Sequence, residues 1–140
     1  MDKSYLTAIG RLKPSTPARL LDQQGLLKGR CLDYGSGRGK DAKHFKIYQY
    51  DPYFHPSHPS GKFDTIICNY VLNVVDQNSQ ERIINKIRGL LNPNGVAYFT
   101  VRRDIKQDYV SSKGTLQRLV HLNLPVFKET NDFCIYILKG

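Results

Sequence analysis

The stretch that decides the fold reads Arg30-Cys31-Leu32-Asp33-Tyr34-Gly35-Ser36-Gly37-Arg38-Gly39. A strand-like apolar segment runs into three glycines at alternate positions, and glycine allows both positive φ angles and close approach of a ligand to bare backbone. A strand that ends in such a turn ahead of a helix collects backbone N–H groups at the positive helix end. The stretch therefore predicts a ligand-binding turn, and the carboxylate of Asp33, two residues before Gly35, makes that prediction more specific.

A second carboxylate lies at the spacing of a nucleotide site. Asp51 follows the strand-like segment Ile47-Tyr48-Gln49-Tyr50, 18 residues after Asp33. In such sites an acidic residue about 20 residues past the glycine turn accepts hydrogen bonds from ribose hydroxyls. An NAD-binding or other nucleotide-binding protein is the weaker interpretation, because the glycine spacing lacks the x-x-Gly ending of the dinucleotide fingerprint.

Three motifs resemble those of class I S-adenosylmethionine (SAM)-dependent methyltransferases. Asp33–Gly39 is similar to the first motif of that family, Phe63–Leu72 to the fourth, and Leu90–Val96 to the turn before the fifth strand. They occur in the family's order over residues 28–101. The resemblance implies an α/β fold with a Rossmann-like class I methyltransferase sheet, mostly parallel with an antiparallel C-terminal strand.

The chain departs from the family between Asp51 and Phe63. The family places a helix, a further strand and a loop there, whereas this chain has only a short loop rich in proline, glycine and serine at 55–61. We therefore expect a sheet shortened by loss of the helix and edge strand between the second and fourth strand positions. Adenine recognition, which the family places on that edge strand, would fall to Tyr53, Phe54 or the 55–61 loop.

The resemblance also implies a cofactor, SAM, and a set of residues that bind it. The glycine turn would lie under the methionine part, Asp51 would bind the ribose, and Asn69 and Tyr70 would face the same crevice from the end of the next parallel strand. As alternatives, Asn69 is a plain turn residue and Tyr70 a plain core residue. The predicted cofactor-binding residues are Asp33, Tyr34, Gly35, Ser36, Gly37, Gly39, Asp51, Pro52, Tyr53, Asn69 and Tyr70.

Asp51-Pro52-Tyr53-Phe54 resembles in part the Asp-Pro-Pro-Tyr motif of amino-group methyltransferases. It lacks the second proline and follows the second strand rather than the fourth. We prefer the interpretation that Pro52 shapes the turn and that Tyr53 or Phe54 packs beside the adenosine. His55 and His58 in the following loop have no third ligand nearby in the sequence, so no metal site is predicted.

The remaining elements follow from local patterns. Residues 1–27 form a predicted N-terminal capping segment, with Ser15 or Thr16 as the cap of a helix over 17–24 that covers the sheet. The resemblance implies the alternative, that this segment lies over the cofactor or shapes the acceptor pocket. Apolar periodicity predicts a helix over 76–91 with a structural role only. Further predictions are short helices at 40–45 and 115–120, a turn at 92–95, and strands at 29–34, 46–50, 63–67, 96–101, 126–130 and 133–138.

Size and charge limit the possible partners. The 140 residues predict a single SAM-binding domain over 1–140, and the formal net charge of +9 favours a nucleic-acid acceptor. The charges are spread along the chain, which is also typical of a solvated surface, so a small-molecule or protein acceptor stays open. Arg102 and Arg103 follow a strand end, where paired arginines could hold a phosphate or carboxylate on the acceptor; a solvated charged turn is the alternative.

The cysteine spacing and the apolar runs of the sequence indicate the cellular location. Its three cysteines have no paired spacing, which favours buried, reduced thiols and a cytoplasmic location. No apolar run approaches the roughly 20 residues of a membrane span, so no membrane partner is expected.

These observations predict a SAM-dependent methyltransferase with an unidentified acceptor. Methyl transfer is an in-line displacement in which alignment alone can supply about 7–11 kcal/mol, so the lack of a recognisable catalytic dyad is compatible with catalysis. No general base is marked, and the catalytic residue is unknown. The alternative is a non-catalytic SAM-binding regulatory module or a subunit of a larger methyltransferase, favoured by the trimmed helix and the missing edge strand.

Overall fold

The computed structural model describes residues 4–7 and 13–140 of the chain; the parts of the predicted capping segment at 1–3 and 8–12 lie outside the described residues. The strands are β1 Cys31–Tyr34, β2 Tyr48–Tyr50, β3 Phe63–Asn69, β4 Leu91–Arg102, β5 Tyr109–Val110, β6 Leu116–Gln117, β7 Val126–Glu129 and β8 Phe133–Lys139. Six of them form one sheet in the order β2-β1-β3-β4-β8-β7.

The sheet has the predicted topology. Strands β2, β1, β3 and β4 are parallel to one another, and β8 and β7 continue the sheet in antiparallel pairing. β2 is an edge strand, and the described chain adds no strand outside it. The predictions of a mostly parallel sheet, an antiparallel C-terminal end and a missing edge strand are therefore confirmed.

Three α-helices cover the sheet. They are α1 Thr16–Gln23, α2 Lys40–Phe45 and α3 Gln77–Leu90, and short 3₁₀ turns occur at Ser4–Thr7 and Leu72–Val74. Ser15 caps α1 through its hydroxyl, and Asp76 caps α3 by accepting a hydrogen bond from the Ser79 N–H at 2.8 Å. Within the described ranges, no helix is both long and apolar enough to cross a lipid bilayer.

The core lies on both faces of the sheet. Adjacent residues of β3 point to opposite faces, so Ile66 joins a cluster with Ile87 of α3, whereas Ile67 joins a cluster with Leu21 of α1. All four side chains are almost fully buried, and burying such a side chain contributes roughly 1.5–3 kcal/mol. This packing holds the carboxyl ends of the parallel strands at one edge of the molecule.

Two predicted elements differ from the structure. The predicted turn at 92–95 is part of β4. The register of the β3–β4 pairing shifts there, because Phe63 pairs with Leu91 but Thr65 pairs with Val96. Asn94 has a positive φ of 69° there, so the backbone does turn locally without ending the strand.

The predicted helix at 115–120 is wrong, because β6 pairs with β5 in a hairpin instead. The Ser111 N–H donates to the Thr115 carbonyl at 2.8 Å, and Gly114 closes the turn with a φ of 77°. Arg118 then donates to Gln80 Oε1 at 3.0 Å and to the Val75 carbonyl at 2.9 Å. A six-residue helix is marginal on its own, so these tertiary hydrogen bonds decide the conformation.

Candidate functional site

A cavity of about 1010 Å³ opens where β1, β2 and β3 end. Its wall contains ten of the eleven predicted cofactor-binding residues: Asp33, Tyr34, Gly35, Ser36, Gly37, Asp51, Pro52, Tyr53, Asn69 and Tyr70. Ligands of open α/β sheets bind at the carboxyl ends of the strands, so the cavity has the position expected of the site. The topology therefore brings together residues that lie up to 37 positions apart in the sequence.

Gly39 is the predicted residue that does not line the cavity. It precedes α2 with a φ of 85°, and a Cβ atom at this position would lie 2.6 Å from Oε1 of Gln49. A glycine is required here by the left-handed backbone and by the Gln49 side chain. Gly39 therefore packs against Gln49 behind the cavity wall and does not face the ligand space.

The backbone of the glycine turn is already hydrogen-bonded within the protein. The N–H groups of Gly35 and Ser36 both donate to the carbonyl of Tyr50, at 2.7 and 3.0 Å, and the Gly37 N–H donates to Oδ2 of Asp51 at 2.8 Å. These three N–H groups are therefore used within the protein, and the role of the turn in binding a ligand stays a prediction. The carbonyl at the end of β2 and the carboxylate of Asp51 accept these hydrogen bonds and fix the shape of the turn.

Asp51 holds three backbone groups at once. Besides Gly37, its Oδ1 accepts from the N–H groups of Tyr53 and Phe54 at 2.9 and 3.0 Å. A carboxylate offers about four lone-pair sites, so roughly one acceptor position, on Oδ2, is left for a ligand. Asp51 therefore builds the turn as well as lining the cavity.

Burial shapes the electrostatics beside the turn. Asp33 is only 3% exposed, and burial raises the pKa of Tyr34 to about 12. Burial, followed by the neighbouring Asp33 carboxylate, also raises the pKa of the Cys68 thiol. Tyr34 and Cys68 are therefore neutral at physiological pH.

Two side chains on the wall have buried polar atoms without a partner. Both amide atoms of Asn69 and the hydroxyl of Ser36 are buried and make no hydrogen bond to the described residues. Buried polar groups in native proteins are normally hydrogen-bonded, so these atoms mark positions where a polar ligand fits. Tyr70, next in sequence to Asn69, has a φ of 60°, a strained value that recurs at functional sites.

The N-terminal segment forms the outer side of the cavity. Ser4 and Tyr5 line it, and the Tyr5 ring stacks on the Tyr53 ring with centroids 4.1 Å apart. Ser15, the cap of α1, donates its N–H and hydroxyl to the two carboxylate oxygens of Asp41, at 2.7 and 2.6 Å. In the described part of the segment, α1 packs on the sheet, and Ser4 and Tyr5 line the cavity. That the segment lies over the cofactor stays a prediction.

The segment from Tyr53 through the 55–61 loop, where adenine recognition was predicted, makes contacts within the protein. Tyr53, predicted beside the adenosine, is 58% exposed, and the His58 ring stacks on Tyr50 with centroids 4.2 Å apart. His55 exchanges two backbone hydrogen bonds with Asp51. Across residues 4–7 and 13–140, no three His, Cys, Asp or Glu side chains are grouped in a way that could hold a metal ion.

Helix α3 also contributes to the wall, and the prediction that its role is structural only is wrong. Ser79, Arg82, Ile83 and Lys86 line the cavity, while Ile87 faces the core. The signal that could have shown this is the polar stripe at positions 79, 82 and 86, which follows the helical period on the side away from the apolar face.

The arginine pair at the end of β4 lies outside the cavity wall. Arg102 makes two hydrogen bonds of 2.8 Å to Asp104, and Arg103 donates to Glu129, to the Val120 carbonyl and to the Tyr136 hydroxyl, each at 2.7 Å. The suggestion that they hold an acceptor anion is wrong, because the Arg102 donors bond Asp104 and Gln117, and the Arg103 donors bond the Val120 carbonyl, Glu129 of β7 and Tyr136 of β8.

Comparison with known families agrees with this arrangement. A family model described as a methyltransferase domain matches residues 6–130. The chain belongs to that family. Its sheet has the fold of the solved methyltransferases described next, which confirms the predicted family and fold class.

Solved structures show the same fold at low identity. The 1,6-didemethyltoxoflavin-N1-methyltransferase of Burkholderia thailandensis, crystallised with 1,6-didemethyltoxoflavin and S-adenosylhomocysteine, is 14% identical with a TM-score of 0.66, over 99% of this chain and 78% of that one. The N-methyltransferase NodS of Bradyrhizobium japonicum WM9, crystallised with S-adenosylhomocysteine, is 13% identical with a TM-score of 0.56, over 99% and 97%.

A curated relative matches over a short stretch. The uncharacterized protein RP028 of Rickettsia prowazekii (strain Madrid E) is 42% identical over 40 residues, which is 29% of this chain and 16% of that protein. The chain therefore corresponds to a small part of that relative's length.

Proposed function

We propose that the methyltransferase binds SAM in the cavity at the ends of β1–β3 and transfers its methyl group to a small-molecule acceptor. The observation that carries the proposal is the buried, unpartnered amide of Asn69 in a wall that also contains the family's glycine turn. We treat residues 1–140 as one SAM-binding domain, with residues 1–27 as a capping segment.

The wall residues suit the parts of SAM in different ways. Asp51 retains an acceptor position on Oδ2 for a ribose hydroxyl, and the Asn69 amide can both donate to and accept from a polar group. Asp33 and the rings of Tyr34 and Tyr70 offer the negative charge and aromatic faces that a positive sulfonium favours.

Methyl transfer from SAM requires mainly that the cofactor and the acceptor are held in the right relative position. When bound, SAM supplies both the methyl group and a thioether leaving group. The protein's part is to align the reacting atoms and to exclude water, and alignment of this kind can contribute about 7–11 kcal/mol. The glycine turn suits that task because its backbone N–H groups are hydrogen-bonded within the protein before a ligand enters. The residue that takes up an acceptor proton is unassigned.

The acceptor is proposed to be a small molecule rather than the nucleic acid that the net charge favoured. Single-ligand pockets measure about 300–1,000 Å³, so a cavity of about 1010 Å³ leaves room for a small acceptor beside the cofactor. Several arginines behind the net charge are also used internally: Arg30 lies over the Tyr48 and Phe63 rings, and Arg103 and Arg118 donate to backbone carbonyls. The Burkholderia thailandensis neighbour was crystallised with a small acceptor.

A binding module without catalysis is the second candidate. It is favoured by the six-residue α2 and by the lack of any strand outside β2 in the described sheet. Such a module would bind the cofactor but transfer no methyl group to an acceptor.

The test combines binding with transfer. Calorimetry with S-adenosylhomocysteine should show micromolar binding, and methyl-labelled SAM should label a component of a metabolite fraction. Labelling of RNA or DNA, with affinity that falls as salt rises, would replace the small-molecule acceptor by nucleic acid. Binding without any labelled product would favour the module, and no binding by folded protein would refute the proposal.

A further inference from the structure

Helix α3 presents a basic stripe to the cavity. Arg82 and Lys86 are four residues apart and Ser79 lies three residues before Arg82, so the three side chains share one face of the helix. All three line the cavity, and Arg82 Nη2 donates to the Ser79 hydroxyl at 2.7 Å. The opposite face packs Ile84 and Ile87 into the core, which fixes the direction of the stripe.

The two cations lack a protein counter-ion. Among residues 4–7 and 13–140, ion pairs join Arg102 to Asp104 and Arg103 to Glu129, and neither Arg82 nor Lys86 is in one. The cap of α3 is an acid, Asp76. Its pKa is lowered mainly by hydrogen bonds from Ser79 and further by the Arg82 charge.

The acids of the cavity belong to other elements. Asp33 ends β1 and Asp51 follows β2, while both oxygens of Asp41 are bonded by Ser15. The α3 residues that line the cavity include no acid. Arg38 and Lys40 beside the glycine turn also line the cavity, so its cations lie at two places: next to the acids of the turn, and on α3, where no acid lines the cavity.

We propose that Arg82 and Lys86 bind a phosphate or carboxylate group of the acceptor, so that the substrate is a small organic anion. The inference rests on the proposed function and names its substrate class. A guanidinium binds such groups through two parallel N–H bonds, and an ammonium adds a mobile point charge. The Ser79 hydroxyl holds the guanidinium of Arg82 in place at the cavity.

The same chemistry has a second source, the carboxylate of SAM itself. The two sources are separated by comparing S-adenosylhomocysteine, which carries that carboxylate, with 5′-methylthioadenosine, which lacks it. If the α3 cations bind the cofactor, Arg82→Gln and Lys86→Gln weaken S-adenosylhomocysteine and leave 5′-methylthioadenosine unchanged; this outcome overturns the proposal. If they bind the acceptor, the affinity of both nucleosides stays within twofold of wild type.

The direct probe is inorganic phosphate, titrated into protein saturated with S-adenosylhomocysteine at constant ionic strength. Arg82→Gln and Lys86→Gln should each weaken phosphate binding about tenfold, as expected for loss of a charge-assisted hydrogen bond. Arg88→Gln is the matched control, because Arg88 is an exposed cation of the same helix that does not line the cavity and donates to Asn85. It should leave phosphate binding unchanged.

Product charge gives the final readout. With methyl-labelled SAM and a metabolite fraction, the labelled product should be retained on an anion-exchange column, and its formation should drop in both variants but not in Arg88→Gln. A neutral or cationic product, or phosphate binding that survives in the double variant through Arg38 or Lys40, overturns the inference while leaving the proposed function intact. Failure of wild-type protein to bind S-adenosylhomocysteine is the separate result that refutes the proposed function.

Discussion

Two walls of the cavity differ in how their polar groups are hydrogen-bonded. We call Gly35–Gly37 and Asp51 the turn wall, and Asn69, Arg82 and Lys86 the helix wall. In the turn wall the backbone N–H groups and the carboxylate bond to each other and to β2. In the helix wall the amide has no partner, and the two cations have no counter-ion among the described residues. The backbone of the turn wall is thus hydrogen-bonded within the protein, whereas its Ser36 hydroxyl, like the Asn69 amide of the helix wall, has no partner among the described residues.

The difference has an energetic consequence. Substitutions in the turn wall remove interactions of the folded protein, so they should lower the free energy of unfolding and the ligand affinity together. Substitutions in the helix wall should change affinity with little change in stability, because removing a group that lacks a partner costs the free protein little. The predictions below test this separation.

The largest effect is expected for Gly35→Ala. Gly35 has a φ of 84°, and a Cβ atom there would overlap with Cγ2 of Val71. Backbone strain and overpacking together should lower the free energy of unfolding by about 2–5 kcal/mol and abolish measurable S-adenosylhomocysteine binding. Urea denaturation and calorimetry measure the two quantities.

Gly25→Ala is the control for backbone strain alone. Gly25 has a φ of 69°, and nothing lies within 4 Å of a Cβ atom built there. It should cost only about 1 kcal/mol and leave ligand affinity unchanged. Equal losses in the two variants would show that the contact with Val71 does not shape the turn wall.

Asp51→Asn should affect stability and binding together. An amide has one carbonyl oxygen, so it cannot accept from the Gly37, Tyr53 and Phe54 N–H groups as the carboxylate does. We expect a loss of about 1–3 kcal/mol in the free energy of unfolding and about tenfold in S-adenosylhomocysteine affinity. Asp22→Asn, on the exposed side of α1, is the control with neither effect. Weaker binding at full stability would mean that Asp51 acts only on the ligand.

How much of this could be read from the sequence depends on how far apart the interacting residues lie. The glycine turn, Asp51 and α3 are local patterns of spacing, capping and periodicity, and they were predicted close to their observed positions. Two of the three bonds of Asp51, from Tyr53 and Phe54, are local, but the Gly37 donor lies 14 residues earlier and has to be brought there by the pairing of β1 with β2.

Charge was the least predictable property. Arg102 and Arg103 follow a strand end as a ligand-binding pair would, but Arg103 finds partners 17, 26 and 33 residues away on the β7–β8 side. Arg82 looked like an ordinary surface residue of an amphipathic helix. Only the tertiary fold shows that the Arg103 donors are used within the protein and that Arg82 lines the cavity.

Asn69→Ala should show the opposite behaviour to Asp51→Asn. Both amide atoms of Asn69 are buried without a partner among the described residues, so their removal should change the free energy of unfolding of the free protein by less than about 1 kcal/mol. S-adenosylhomocysteine should nevertheless bind about tenfold more weakly, because its polar group loses a partner. A stability loss as large as that of Asp51→Asn would mean that Asn69 is a structural turn residue, which was the alternative interpretation.

The smallest effect tests whether the turn wall is closed without ligand. Burial raises the pKa of Tyr34 from 10.0 to about 12. Because the folded-state pKa lies above the unfolded value, the contribution of Tyr34 to stability is fully present below pH 10 and is lost as the pH rises toward 12.

Tyr34→Phe removes that titration, so between about pH 9 and about pH 11 the variant should gain about 1 kcal/mol in free energy of unfolding relative to wild type. Denaturant unfolding at both pH values measures this difference, and the raised pKa values of Tyr50 and Tyr98 cancel because both proteins contain them. A constant difference would mean that water reaches the Tyr34 hydroxyl in the free protein. The end of β1, which leads into the turn wall, would then be open to solvent without a ligand.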